Sequence, residues 1–218
     1  MRKHSIVLLP GDGIGPEISS VTRKLLEAVE KKFDFRFEIK EEAFGGAAIE
    51  ATGHPLPEKT LNACKNSDAV LLAAIGSPNF DNLPREKRPE TGLLSLRSEL
   101  KLFANIRPVI VFNPLIEASS LKADIVKNVD LIVVRELTGG IYFGSPKGRI
   151  KDDKIERAFN TMTYSDKEIE RVAEIAFKLA SERKCKLCSV DKANVLEVSQ
   201  LWREKVTSIS KNHKNIEL

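Results

Sequence analysis

Three arginines stand where a guanidinium calls for an anionic partner. Arg97 falls on the face of the helical stretch Leu93–Leu102. Arg107 is set between Ile106 and Pro108 in an apolar strand, and Arg135 directly follows Leu131-Ile-Val-Val134. Arginines at the ends of buried strands are rarely enclosed without a counter-ion. Guanidinium groups grip carboxylates bidentately, so three of them suit a ligand with two carboxylates. The spacing equally allows Glu136 and Glu99 to pair with them as internal ion pairs. Tyr142, after Gly139-Gly140, offers a phenol. Lys192, in Ser189-Val-Asp-Lys-Ala-Asn194, follows a strand at the usual place for an active-site group in an α/β sheet. A lysine that works as a base needs burial or a positive neighbour to lower its pKa from about 10.4.

Two further motifs are weaker. Gly11-Asp-Gly-Ile-Gly15 follows a strand, but G-x-G-x-x-G needs its third glycine where Pro16 stands. The chain is therefore not read as a Rossmann fold; the turn suits either an anion or plain chain reversal. Cys185 and Cys188 form a C-x-x-C within Lys184–Val190, which reads as a short strand with the two thiols on opposite sides, a structural pair rather than a redox one.

The elements that must hold these residues alternate between strand and helix, which predicts an α/β layered architecture. Ile6–Leu9 is a buried strand ended by Pro10, and Pro16 opens a helix with Ile18, Val21, Leu25 and Val29 at helical spacing. Phe33–Ile39 alternates as a half-buried strand; Pro57–Lys65 is a short helix and Ala69–Ile75 a strand. Gly45-Gly46 and Gly53-His-Pro55 read as turns, and Gly76–Pro89 as a long polar loop, of a length that is usually functional or disordered. Ile106–Phe112 and Leu131–Val134 are strands. Ser165-Asp-Lys-Glu168 has capping-box form and starts a helix with the stripe Ile169, Val172, Ala173, Phe177 and Ala180. Asn194–Ile209 reads as a second helix with Val195, Val198, Trp202 and Val206 inward, and Asn215–Leu218 as the opening of a strand.

Composition narrows the class. The 218 residues carry 35 Lys+Arg against 31 Asp+Glu, a net +4, with 42% apolar and 30% charged residues. That is ordinary for a globular protein of one large or two small domains. Basic and acidic residues are interleaved and aromatics are only 6%, which argues against a nucleic-acid footprint. The longest apolar run, Ala69–Ile75, is far short of the roughly 20 residues of a membrane span. The start leads straight into a strand, unlike a signal peptide, so a cytoplasmic location is expected. Three cysteines do not make a disulfide scaffold.

Five ordered segments together resemble one family, the metal-dependent β-decarboxylating dehydrogenases of 2-hydroxy acids (the isocitrate/isopropylmalate dehydrogenase family). They are Leu9–Glu17, Arg88–Arg97, Phe103–Pro108, Val134–Gly144 and Ser189–Glu197. The resemblance implies a two-domain α/β fold. It places the N-terminal half of a cofactor-side domain over residues 1–102, and a substrate and dimerisation domain over residues 103–218. It implies that Arg97, Arg107 and Arg135 hold a diacid, with Glu90, Leu93 and Leu94 beside them. It makes Lys192, contributed by the other subunit of a homodimer, and Tyr142 the catalytic pair. Ile14 and Asn194 would border an NAD cofactor. Leu93 and Leu94 form an apolar wall suited to the isopropyl branch of an isopropylmalate-type substrate, worth about 0.8 kcal/mol per buried CH₂. An isocitrate enzyme would need a polar group there. The alternatives are a sister enzyme acting on tartrate or malate, or a non-catalytic remnant.

In the resemblance, three aspartates that hold Mg²⁺ or Mn²⁺, and most of the adenosine site, lie beyond Leu218. Asp12, Asp68, Asp81 and Asp191 match no metal motif, so no metal ligand is assigned. The chain is read as C-terminally truncated, and on its own is expected to be marginally stable and inactive.

Overall fold

The computed structural model describes residues 2–152 and 154–218. They form two compact units, Met1–Lys101 and Leu102–Leu218.

The first unit is a three-stranded parallel sheet in the order β2-β1-β3, built from β1 (Arg2–Gly11), β2 (Phe35–Glu41) and β3 (Ala69–Ala74). Its helices are α1 (Gly15–Lys32), α2 (Gly46–Thr52), α3 (Glu58–Lys65) and α4 (Pro89–Glu99). β1 is central, with Ile6 opposite Ile39 on one side and Leu9 opposite Leu72 on the other. Consecutive Val7, Leu8 and Leu9 are all buried, as expected of a parallel strand covered on both faces. The core packs Val7 and Leu9 with Phe44, Leu56, Cys64 and Leu96.

The second unit pairs β4 (Ala104–Ile110) antiparallel with β5 (Asp130–Glu136), and separately β6 (Lys147–Lys151) with β7 (Glu156–Asn160). Short α5 (Ala123–Val126) precedes β5; α6 (Asp166–Ser181) and α7 (Glu197–Ser210) follow the second hairpin. Ile169, Ala173, Phe177 and Ala180 of α6 pack on Val206, Ile209 and Ile216. The Ser165–Glu168 capping box forms reciprocally and starts α6 at Asp166. Among the described residues no helix is long and apolar enough to cross a membrane.

Several expectations are corrected. β1 runs through Pro10 to Gly11, because Pro10 lies at the strand's last turn of pleat, where a missing donor costs little. Lys184–Val190 is not a strand: Cys185 takes a left-handed φ of 52°, and only Lys186 bridges to Glu217, so Asn215–Leu218 supplies one bridge rather than a strand. α7 begins three residues later than read, leaving Val195 64% exposed. In α1 the helical stripe is real, but Ile18, Val21 and Leu25 face outward; Gly15 and Ser19 turn toward the sheet instead. α2, α5 and the β6–β7 hairpin were not anticipated.

Candidate functional site

In the first unit, loops gather at the carboxyl ends of the parallel strands, where α/β sheets carry their sites. Asp12 is their hub. Its Oδ2 accepts from the amides of Gly46 (2.8 Å) and Gly76 (3.0 Å), and its Oδ1 from the amide of Ala47 (2.8 Å). Asp12 is itself buried. The amide cluster that an external anion would need is therefore already filled by a carboxylate of the chain, and the Gly11–Gly15 turn serves chain reversal and close packing. At Gly11, φ is +69° and an added Cβ would stand 1.8 Å from the Ala74 carbonyl oxygen, so only glycine fits. Ile14, the residue before α1, is 60% exposed on this turn.

Glu90, Leu93, Leu94 and Arg97 lie at helical spacing on one side of α4, a helix opened by Pro89. The Glu90 carboxylate reaches the loop cluster: its Oε1 lies 3.1 Å from where a Cβ on Gly76 would be. Leu94 and Arg97 are half-buried. Leu93 is half-buried as well and packs against the unit's hydrophobic core.

In the second unit, the β4–β5 register puts Asn105 opposite Arg135 and Arg107 opposite Val133. Arg107 and Arg135 are thus diagonal neighbours on one face of the ladder. That face is the exposed one: Leu131, Val133 and Arg135 point out, while Ile132, Val134 and Glu136 are more enclosed. Arg107 Nε donates to Asn105 Oδ1 at 2.5 Å, and the Arg135 guanidinium lies 5.4 Å from the centre of the Tyr142 ring, a cation–π contact. The structure so brings together two of the predicted arginines and the predicted phenol. The acids that could have neutralised the arginines are engaged elsewhere: Glu99 with Lys65 at 2.6 Å, and Glu136 with Arg171 at 2.8 Å. Among the described residues no carboxylate forms an ion pair with Arg107 or Arg135.

The loop after Gly139 is set by contacts that short motifs do not reveal. The Tyr164 ring packs so closely on Gly139 and Gly140 that a Cβ on Gly140, at φ +77°, would stand 2.4 Å from its hydroxyl. Burial, then the nearby Glu136 carboxylate, pushes the Tyr164 phenol above its ordinary range.

Lys192 and Asn194 occupy an exposed loop before α7. The loop itself is tied down. Asp191 accepts two hydrogen bonds from Arg203, at 2.9 and 2.7 Å, and one from the Ala193 amide at 3.0 Å. Trp202 Nε1 donates to Ser189 Oγ at 3.1 Å. The Arg203 hydrogen bonds, then the Ala193 amide, hold the Asp191 carboxyl below the usual carboxylate range.

No group of three or more His, Cys, Asp or Glu side chains able to hold a metal occurs among the described residues. The carboxylates that resemble candidates are spent: Asp12 on backbone amides, Asp191 on Arg203, and Asp68 on the Ser5 amide and hydroxyl. These residues do not fit a Mg²⁺ or Mn²⁺ site.

Residues 5–218 match the sequence profile described as isocitrate/isopropylmalate dehydrogenase. The chain is 66% identical over 218 residues to the 3-isopropylmalate dehydrogenase of Prochlorococcus marinus (strain NATL2A), covering all of this chain and 61% of that protein. It is 58% identical over the same length to that of Synechococcus elongatus, covering 60% of it. The chain thus spans about three-fifths of the length of these relatives. Among solved structures, isocitrate dehydrogenase from Methylococcus capsulatus superposes with a TM-score of 0.81 at 31% identity, over 98% of this chain and 59% of that one. A β-decarboxylating dehydrogenase from Thermococcus kodakarensis gives a TM-score of 0.70 at 27% identity, over 98% of this chain and 56% of that one.

Proposed function

Because the chain belongs to the isocitrate/isopropylmalate dehydrogenase family, we propose that it is the diacid-gripping part of an NAD-dependent 3-isopropylmalate dehydrogenase of leucine biosynthesis. The observation that carries this reading is the exposed β4–β5 face, where Arg107 and Arg135 share one side of the ladder without a carboxylate partner and Tyr142 packs on Arg135. Two guanidiniums with unspent donors match the two carboxylates of a 2-hydroxy diacid.

The roles are those that the family resemblance implies. Arg107 and Arg135 orient the carboxylates. On α4, the family resemblance gives Arg97 to a substrate carboxylate and Leu93 and Leu94 to an isopropyl branch, with Glu90 beside them. The Lys192 amine takes the proton of the 2-hydroxyl as the C2–H electron pair departs. Bound NAD⁺ supplies the acceptor for that hydride, with Ile14 and Asn194 bordering it. The 2-oxo acid then loses its β-carboxylate as CO₂, and the Tyr142 phenol gives a proton to the carbon left behind.

Lys192 is exposed within one chain, so the burial a lysine base needs must come from elsewhere. Its neighbours Val190 and Val195 are 85% and 64% exposed, an apolar surround that suits coverage by a second subunit. A cytoplasmic homodimer with a shared site belongs to the same reading.

The test is initial-rate turnover by the full-length protein with NAD or NADP and Mg²⁺ or Mn²⁺, over 3-isopropylmalate, isocitrate, tartrate and malate. The expected result is NADH formation with 3-isopropylmalate at the highest kcat/KM. A higher kcat/KM for any of the other three overturns the substrate assignment.

A further inference from the structure

We propose that Glu136 is a positioning residue: its buried carboxylate folds the loop that brings the Tyr142 ring onto the Arg135 guanidinium. The consequence for catalysis rests on the function proposed above; the structural coupling does not.

Glu136 is the last residue of β5, and its side chain is only 1% exposed. Four donors converge on it. Oε2 accepts from the amides of Thr138 and Gly139, both at 2.7 Å, while Oε1 accepts from Thr138 Oγ1 at 2.7 Å and from Arg171 Nη2 at 2.8 Å. A carboxylate can satisfy four donors because it is acceptor-only on both oxygens. These bonds turn the chain sharply after the strand. The Leu137 amide also returns to the Phe103 carbonyl at 2.8 Å.

Arg171 links this turn to α6 and β4. Its guanidinium hydrogen-bonds Thr138 Oγ1 as well as Glu136, and lies 4.9 Å from the Phe103 ring, directly before β4. Its Nε is buried without an acceptor. An unpartnered buried donor is unfavourable, and the arrangement keeps it while directing Nη2 at Glu136 and Thr138. Buried ion pairs are weak evidence for stability, because apolar replacements often do as well. What this pair supplies that an apolar pair could not is a fixed path for the next residues. That path leads through Gly140, whose amide bonds the Thr163 carbonyl at 2.8 Å, to Tyr142, whose carbonyl accepts from Lys147 Nζ at 2.9 Å. Arg135 and Tyr142 flank the turn on either side and meet across it.

Glu136→Gln isolates the effect. One amide oxygen can keep two of the donors, but the amide nitrogen then faces the other two as a donor itself. The experiment labels the chain's two tyrosines, Tyr142 and Tyr164, with 3-fluorotyrosine and follows their ¹⁹F resonances, together with amide exchange at Thr138 and Gly139. In the parent protein, Arg135→Gln should displace the Tyr142 resonance. In Glu136→Gln the same substitution should displace it by less than a third as much, and exchange at Thr138 and Gly139 should rise at least tenfold. Thr138→Val, which removes one donor to Glu136 and the hydroxyl that accepts from Arg171, should give a smaller change in the same direction and keeps the test usable should Glu136→Gln not fold. Calorimetry with 3-isopropylmalate is run in parallel, where Glu136→Gln and Arg135→Gln should each weaken binding at least tenfold and combine less than additively.

An undiminished Arg135–Tyr142 coupling with Thr138 and Gly139 still protected, in folded Glu136→Gln or in Thr138→Val, overturns the proposal. Loss of coupling in a protein that never binds the diacid upholds the positioning role and overturns the functional reading instead.

Discussion

Asp12 offers a test of how the first unit holds its loops. Among the described residues its carboxylate is the sole side-chain acceptor for three amides from two other segments, those of Gly46, Ala47 and Gly76. Asp12→Asn leaves one oxygen, which can still serve Gly46 and Gly76 where Oδ2 now does. Its NH₂ then meets the Ala47 amide as donor against donor. One charge-assisted bond is lost, costing about 2 kcal/mol. Asp12→Ala removes all three acceptors. Water can reach the part-buried Ala47 and Gly76 amides but not the buried Gly46 one, so the cost rises to roughly 3–5 kcal/mol. Because the chain forms two units, one global unfolding free energy is a poor readout. Amide exchange at Leu9 and Leu72, the paired centre of β1 and β3, is the better assay. Asp12→Asn should accelerate it by about 30-fold, and Asp12→Ala by several hundredfold or more. Exchange within about threefold of the parent for both variants would refute the view that this carboxylate organises the loops.

Three more outcomes are expected. Asp191 has a depressed carboxyl pKa through Arg203 and then the Ala193 amide, so its contribution is present above the ordinary value of about 3.9 and is lost as pH falls through the lowered one. Acid titration of Trp202 fluorescence, the chain's single tryptophan and a neighbour of this loop, should show a step below pH ~4 that moves upward in Arg203→Gln; an unmoved step would dissociate the pair from the loop. Phe177 is fully buried and stacks on His213 at 4.7 Å, so Phe177→Ala should cost about 3–5 kcal/mol in the second unit, read by urea unfolding of Trp202 fluorescence. Leu94→Ser should raise KM for 3-isopropylmalate several-fold with kcat little changed, in line with losing about 0.8 kcal/mol per buried CH₂; Leu93→Ser should raise it too and also lower the stability of the first unit, because that side chain packs against the core.

Where one face of an element is buried and its ends are marked locally, the sequence is readable. In α6 the stripe Ile169, Val172, Ala173, Phe177 and Ala180 is buried and the cap at Ser165 is formed. The strands around Arg107 and Arg135 are legible for the same reason, as apolar runs of strand length. The β6–β7 hairpin left no such mark, because every residue of its two strands is exposed and no alternation separates an inner from an outer face. α2 hid between two glycine turns. α1 misled differently: its apolar spacing predicted the helix but not the side it turns to the sheet, since the close contact there is made by Gly15 and Ser19.

The site divides along similar lines. The arginines, Tyr142 and Lys192 were found by residue type and by their place at strand ends. Asp12, Glu136 and Asp191 were visible as acids, but their partners lie up to 64 residues away, and no local pattern encodes such a contact. Glu136 illustrates the difficulty, since proximity in sequence made it a natural partner for Arg135, while the fold gives it to Arg171. Strand alternation is the signal that could have separated them, because adjacent residues of β5 point to opposite faces.

The central claim, that Arg107 and Arg135 are an open pair for a diacid, is tested most directly by calorimetric titration of 3-isopropylmalate against 4-methylpentanoate, which keeps the branch and has a single carboxylate. The diacid should bind, the monoacid should bind at least tenfold more weakly, and Arg107→Gln and Arg135→Gln should each abolish most of that difference. Equal binding of the two acids, or diacid binding unaffected by either substitution, would contradict it.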